Sequence, residues 1–409
     1  MNNPLKLLQI NTTCNSGSTG KIAEGIGKVA IKKGWKSYIA YARNFNKSES
    51  RALKIASLAE VYSNVFFARI FDKDSPFSKI AAKRLIRHIS EISPDIIHFH
   101  NLHGYYLNIP YFFDFISELK KPVVWTLHDC WSFTGHCCYF SDCQKWETRC
   151  EKCPLKKDYP KSYVFDNSRN NFACKKNFAE KAGDFLHIVP VSDWLDNLAS
   201  LSILKNCRRR IIKNGIDTSV FRPAPEREIA AAKEKYGISK GYIIAVANIW
   251  DARKGYEDLY KIKEALKGEI DIVAVGTNKS QNKNLNGAGI IAINRTENQK
   301  QLSVLYSGAK AFINPTYQDN YPTVNLEAMA CATPVITYNT GGSPESVDSS
   351  TGFVVDKGDF KSMANIALNL DKKSFAQNCR TKALNHFDKN ASFEKYINLY
   401  EDILGGQNA

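Results

Sequence analysis

The 409 residues carry 56 lysines and arginines against 41 aspartates and glutamates, a net charge of +15, with 44% hydrophobic and 24% charged residues. That length favours two or three domains, and the composition excludes a disordered, collagen-like or coiled-coil chain. No apolar run approaches the ~20 residues that cross a bilayer.

The first residues, Met1 to Lys6, lack the apolar core of a secretory signal, which predicts a cytoplasmic protein. The positive excess asks for an acidic partner, and nucleic acid, an anionic membrane and phosphorylated substrates all qualify. Arg208-Arg209-Arg210 is the one tight basic run and reads as a solvated face. No zinc-finger array, RNA-binding motif or long basic stripe supports a nucleic-acid partner.

Short apolar runs alternate with helical patterns along the chain. Strands are predicted at Leu5–Ile10, Ser37–Tyr41, Asp95–His100, Val123–Leu127 and His187–Val191. Others follow at Tyr242–Ala247, Ile270–Val275, Ala311–Asn314 and Pro334–Tyr338. Most are apolar at consecutive positions, as strands covered on both faces of a parallel sheet are. Helical stretches such as Ile22–Lys33 and Glu257–Leu266 lie between them, the α/β pattern of right-handed crossovers. A strand-like Arg210–Lys213 and the Pro-containing stretch after it mark a boundary, and a fresh strand–turn–helix unit begins at Gly241. The expected domains are 1–207, 208–387 and a C-terminal helical segment, 388–409, packing back on the first.

The first strand leads into Asn11-Thr12-Thr13-Cys14-Asn15-Ser16-Gly17-Ser18-Thr19-Gly20-Lys21. Small residues before a helix let backbone N–H groups approach an anion; a simple helix cap is the competing reading. It is not a P-loop, because Asn15 stands where the first glycine belongs and Ile22 replaces the magnesium-binding hydroxyl. His98, His100 and Asn101 close one strand and His128 the next. Ligands of open α/β sheets sit beyond those carboxyl ends. Asp72-Lys73-Asp74 has the D-x-D form of metal-dependent transferases, yet its polar loop reads as surface.

Of 11 cysteines, Cys130, Cys137, Cys138, Cys143, Cys150 and Cys153 crowd into one segment. Without a secretory signal such a cluster reads as a metal site before a disulfide knot. Cys150-x-x-Cys153 has ligand-pair spacing, and Cys137 and Cys143 complete a possible structural zinc set; free thiols and disulfides are the alternatives.

In the second half, Asn248 to Gly255 joins a strand to a helix, and Arg253-Lys254 there suits a diphosphate. Pro322 has the position expected at the first turn of a helix. Glu327 falls one to two turns along it, placed for a ribose diol.

These second-half elements resemble the retaining glycosyltransferases of family 4, which have the GT-B fold. Asp319-x7-Glu327 matches the spacing of the family's E-x7-E motif. Ala328 to Val335, Gly341-Gly342-Ser343-Pro344-Glu345, Asn214-Gly215-Ile216-Asp217 and Lys254-Gly255 are also similar to the family. The N-terminal half, with Thr126-Leu127-His128-Asp129-Cys130-Trp131 running to Cys150-x-x-Cys153-Pro154, resembles a bacterial branch serving colanic-acid-type exopolysaccharide and O-antigen assembly. The resemblance implies an α/β GT-B architecture, two Rossmann-like domains facing each other across a cleft. It implies retaining transfer of a sugar from a UDP- or GDP-sugar to a glycan acceptor, lipid-linked in this branch.

By that resemblance the catalytic residues are His128, Asp319, Lys254 and Glu327. Donor-binding residues are Gly17, Thr19, Gly20, Asn248, Arg253, Lys254, Asn320, Tyr321, Thr323, Val324 and Glu327, with His98, His100 and Asn101 on the acceptor side. No cofactor is needed for catalysis. Two departures stand out: Asn248 lies near the family's arginine, with Arg253 as its substitute, and Asp319 is one methylene shorter than the usual glutamate.

Two alternatives share the architecture, a sugar-nucleotide epimerase and a non-catalytic binding subunit of a polysaccharide assembly complex. A peripheral role at the inner face of the cell membrane extends the cytoplasmic reading. Val61–Phe71 offers Tyr62, Phe66 and Phe67 for it, although ordinary helix packing accounts for such residues.

Overall fold

The computed structural model describes residues 3–73 and 78–406, so Asp74 of the D-x-D sequence lies outside the described residues. The chain divides into two compact units, Met1–Lys213 with Phe393–Ala409, and Asn214–Ser392.

The first unit holds seven parallel strands, β1 (Lys6–Ile10), β2 (Lys36–Tyr41), β3 (Arg51–Lys54), β4 (Ile96–Phe99), β5 (Val123–Leu127), β6 (Leu186–Pro190) and β7 (Arg208–Arg209). Their order is β3-β2-β1-β4-β5-β6-β7. The second unit holds six, β8 (Tyr242–Val246), β9 (Asp271–Val275), β10 (Ile291–Ile293), β11 (Phe312–Asn314), β12 (Val335–Tyr338) and β13 (Gly352–Val355), all parallel. Their order is β10-β9-β8-β11-β12-β13. Both are doubly wound. The strand order reverses between β1 and β4 and again between β8 and β11, and at such a switch point the loops diverge and leave a crevice.

Central strands bury every position, as Val123-Val124-Trp125-Thr126-Leu127 shows, because helices cover both faces. In the first unit Leu7, Ile26, Ile96, Val124 and Val189 form a core with Phe393, Tyr396, Ile397 and Tyr400 of the helix Lys389–Gly405. In the second, Ile243, Ile272, Ile313 and Ile336 pack with Leu259, Ile262 and Met363 from its helices.

Several sequence-level boundaries move. Arg208–Arg209 pairs with His187 and Ile188, so the expected break at 207–208 falls inside the first unit and Arg210–Lys213 is not the strand. The last helix begins in the second unit and belongs to the first from Phe393 onward. The helix after β11 runs Thr323–Ala330, with Pro322 as its N-cap instead of its first residue. Strands β3, β10 and β13, unpredicted, all lie at sheet edges.

Candidate active site

In the second unit three loops leave the carboxyl ends of the adjacent strands β8, β11 and β12. The first carries Arg253 and Lys254 on a short helical turn capped by Asp251, whose side chain accepts the Lys254 N–H. The second carries Asp319, and the third Gly341 to Glu345.

Side chains and backbone stitch these loops together. The Arg253 guanidinium donates to the Gln318 carbonyl at 2.8 Å, and the Arg253 carbonyl accepts the Tyr317 N–H at 2.7 Å. Lys254 Nζ is ion-paired with Asp319 Oδ2, their side chains 19% and 15% exposed. The other Asp319 oxygen accepts the Asn320 N–H at 2.8 Å. Gly341 is required behind it: its φ is +55°, and a Cβ would come within 2.2 Å of the Asp319 carbonyl oxygen.

On the helix Thr323–Ala330, Glu327 Oε2 accepts the Tyr306 hydroxyl at 3.2 Å. Burial first, and then the Glu327 charge, push the Tyr306 phenol well above its ordinary range, so it stays a donor. The expected donor residues therefore split. Arg253, Lys254, Asp319, Thr323, Val324 and Glu327 are half-buried and cluster on the loops or the helix, and Asn248 is exposed. Asn320 and Tyr321 are buried, which turns their side chains away from solvent. Ser343, which the sequence offered only as a member of the Gly-Gly-x-Pro-Glu turn, has a buried hydroxyl with no hydrogen-bond partner among the described residues.

The first unit builds a different centre at its own switch point. Gln9 of β1, His100 beyond β4 and His128 beyond β5 form a chain. Gln9 Nε2 donates to the Ala23 carbonyl at 2.8 Å, which leaves its Oε1 as acceptor for His100 Nε2 at 3.0 Å. His100 Nδ1 and His128 Nε2 are 3.0 Å apart. Burial lowers both histidines, His100 well below its ordinary range and His128 to about 4, so both are neutral near pH 7. With His100 protonated on Nε2, its Nδ1 accepts, and His128 Nε2–H donates. The relay leaves His128 Nδ1 unprotonated, an acceptor for a hydroxyl.

His98 takes another role. It is fully buried and held between Thr126 Oγ1 at 2.8 Å and Tyr400 OH at 2.6 Å. That burial removes it from any acceptor-facing position; it ties the C-terminal helix to the sheet. His100 is likewise buried and reaches a ligand only through His128, whereas half-buried Asn101 donates its N–H to Asn11 Oδ1 at 3.3 Å. In the glycine loop, Gly17 and Thr19 lie at the start of the helix Gly17–Lys32. Gly20 is buried, and a Cβ there would meet Thr13 Oγ1 at 2.6 Å, so packing against the loop explains that glycine.

His103 and Asp129, which the sequence did not single out, bond at 2.7 Å beside the same strand ends. With Cys138 they are the ligand-type atoms of three residues lying within 4.8 Å of one another among the described residues. Burial works against the Asp129 charge, but His103 holds its carboxyl below the usual range.

Cys137, Cys143, Cys150 and Cys153 are free cysteines lining one cavity of about 10 Å³, the space of one small ion or water. They do not form a compact three-ligand group of the kind His103, Asp129 and Cys138 do. The Cys137 thiol hydrogen-bonds Cys153 and holds the Cys153 thiol below its ordinary range, with the Leu155 backbone contributing. Lys175 anchors this loop, donating to the Trp131 and Thr134 carbonyls at 2.6 and 2.8 Å. Asp72 is no surface residue: buried, it bonds His136 Nδ1 at 2.7 Å and the Asn167 N–H at 2.9 Å, fastening the cysteine loop to a helix end.

Comparison with known proteins bears on the whole chain. Residues 26–220 match the model of Glycosyltransferase Family 4, and residues 240–372 that of Glycosyl transferases group 1. The chain thus carries a Glycosyltransferase Family 4 domain followed by a Glycosyl transferases group 1 domain. The transferase is 26% identical to the colanic acid biosynthesis glycosyl transferase WcaC of Escherichia coli over 423 aligned positions, covering 98% of this chain and 100% of that protein. Its fold is that of GT-B enzymes. Sucrose-phosphate synthase from Thermosynechococcus elongatus superposes with a TM-score of 0.72 at 15% identity, covering 98% of this chain and 100% of the other. Anabaena HepE in complex with UDP-glucose gives 0.67 at 13% identity, covering 97% and 100%.

Proposed function

We propose that this transferase moves a sugar from a UDP- or GDP-sugar to a lipid-linked glycan acceptor, retaining the anomeric configuration, in assembly of a bacterial exopolysaccharide or O-antigen. The Lys254–Asp319 pair beside the Glu327 helix, at the switch point of the second sheet, carries the reading. WcaC, named for colanic acid biosynthesis, supports the polysaccharide setting, and HepE, solved with UDP-glucose, supports a nucleotide-sugar donor.

The second unit takes the nucleotide. Glu327 accepts from the ribose hydroxyls. Lys254 and Arg253, with the N–H groups opening the Thr323–Ala330 helix, stabilise the charge that develops on the departing diphosphate. Asp319 orients Lys254 and reaches a donor-sugar hydroxyl. As the bond from the anomeric carbon to the phosphate oxygen breaks, the acceptor oxygen bonds to that carbon on the same face. The acceptor's proton passes to the leaving phosphate oxygen. His128, held as the Nε2–H tautomer, offers Nδ1 to a sugar hydroxyl, and Gln9 and His100 position it.

Thermal shifts with UDP, GDP, ADP and CMP test the donor site first, followed by sugars on the nucleotide that binds. Stabilisation by UDP or GDP, followed by transfer with retained configuration, is the expected result. No response to any nucleotide would replace this reading with the non-catalytic binding subunit, and turnover without an acceptor would replace it with the epimerase.

We propose a structural zinc for the cysteine loop. Thiolate is the ligand zinc prefers, and the four thiols share a cavity of single-ion size. One zinc per chain, lost in a Cys150→Ser/Cys153→Ser variant, is the expected metal analysis; zinc-free protein of unchanged stability would refute it.

A further inference from the structure

The helix Leu58–Phe71, Leu-Ala-Glu-Val-Tyr-Ser-Asn-Val-Phe-Phe-Ala-Arg-Ile-Phe, is apolar nearly all round, yet only Val61 and Asn64 are fully buried. A helix of that composition normally lies inside a protein or against an apolar partner. Here Leu58, Tyr62 and Phe66, spaced four apart along one face, are 55%, 72% and 62% exposed. Ordinary helix packing therefore does not account for Tyr62 and Phe66; of these three aromatic residues only Phe67 is half-buried.

The exposed face continues beyond the helix. The Tyr163 and Phe165 N–H groups donate to the Arg69 and Ile70 carbonyls, laying residues 163–165 along the helix end. Phe165 stacks on Phe71 with ring centroids 5.5 Å apart, and Phe71 meets Phe67 at 5.9 Å. Tyr163, Val164 and Phe165 are each more than half exposed. Together these residues form one apolar ridge, far from the singly scattered exposed hydrophobics of an ordinary surface.

The ridge is edged with positive charge. Arg69, Lys73 and Lys161 are exposed beside it, and Lys156 Nζ donates to the Val164 carbonyl at 3.1 Å. Of the nearby carboxylates, Glu60 is bonded to Arg84 at 2.9 Å and Asp72 to His136, leaving Asp158 and Asp166 on the acidic side. The chain as a whole carries +15. Aromatic and aliphatic tips inside a lysine and arginine rim match the boundary of an anionic bilayer, where rings sit among headgroups and cations meet phosphates. Among the described residues no helix is long and apolar enough to cross a membrane.

We infer that the ridge of Leu58, Tyr62, Phe66, Phe71 and Phe165, with its basic rim, docks the first unit onto an anionic membrane surface. Docking of this kind holds the protein in the plane where a lipid-linked acceptor resides. The surface itself does not depend on which sugar is transferred.

Flotation with vesicles of phosphatidylcholine, alone or mixed with phosphatidylglycerol, tests the inference in the absence of any sugar nucleotide, so its outcome is independent of the proposed reaction. The intact chain is expected to float with the mixed vesicles at low salt, and less at high salt. Tyr62→Ser/Phe66→Ser and Lys73→Glu/Lys161→Glu should each weaken binding about tenfold or more, with circular dichroism and nucleotide-induced thermal shifts unchanged. Absence of binding by the intact chain, or binding by either variant at the original strength, would overturn it. So would a dimer in sedimentation that Tyr62→Ser/Phe66→Ser dissociates, since the ridge would then be a contact between copies.

Discussion

The two sheets place chemistry at the same topological position by opposite means. At the switch point of the second sheet the side chains are charged, partly exposed and paired, Lys254 with Asp319. At that of the first they are neutral and mostly buried, with Gln9, His100 and His128 passing one hydrogen-bond polarity from strand to strand. In the proposed reaction a diphosphate leaving group needs counter-charge, which a partly exposed, paired lysine carries cheaply. The sugar hydroxyl of the proposed reaction needs an acceptor of fixed orientation, which burial would provide by suppressing protonation.

The largest effect should come from the charged centre. Lys254→Ala is expected to lower kcat by about 10²–10³-fold, the usual consequence of removing a group that meets developing charge, with circular dichroism unchanged. Full turnover in that variant would take Lys254 out of the mechanism.

The neutral centre should reveal itself through pH. His128 is depressed to about 4 in the folded protein, so the native state binds fewer protons than the unfolded one between that value and the ordinary histidine range. Stability contributed by the neutral form is therefore present above about pH 6.5 and is lost as pH falls towards 4, at up to ~1.4 kcal/mol per pH unit per histidine. His98 and His100 add to the same slope. Denaturant titrations from pH 7 to pH 5 should show the midpoint falling steadily, and a flat profile would mean that the histidines are not buried neutral.

Gly341→Ala sharpens the contrast next. It forces a Cβ against the Asp319 carbonyl in a left-handed backbone, so a loss of about 1–3 kcal/mol is expected, together with weaker nucleotide binding by calorimetry. Gln9→Glu supplies His100 with a charged acceptor and favours protonated histidine. The acid limb of the kcat/KM profile should move up in pH, while the thermal shift with nucleotide stays unchanged. Smallest of all, Glu327→Gln should raise the donor KM about tenfold, the worth of roughly one charged hydrogen bond, with kcat little changed.

The fold was legible where strands are covered on both faces, because continuous apolar runs such as Val123 to Leu127 have one explanation. It was illegible at the sheet edges. Arg51-Ala52-Leu53-Lys54 and Ile291-Ala292-Ile293 are short and only partly buried, and Arg208–Arg209 is two residues long, so none carries a periodic signal. The site divides in the same way. Lys254, Asp319 and Glu327 were singled out through resemblance to the family's motifs, and they lie on the loops and the helix that follow β8 and β11.

What the sequence determined by itself is local or repetitive: the α/β alternation, the turns and helix starts after β1, β8 and β11, and the family to which their residues conform. The tertiary structure decided what depends on partners remote in the chain. His98 became structural because Tyr400, 302 positions away, occupies its ring nitrogen. Asp72 became a buried fastener because His136 reaches it, and Tyr62 and Phe66 became an exposed ridge because no described element of the unit covers them. The same histidine, aspartate or phenylalanine serves as ligand, staple or surface according to what it meets. That is fixed by packing between segments distant in sequence, which residue order alone does not encode locally.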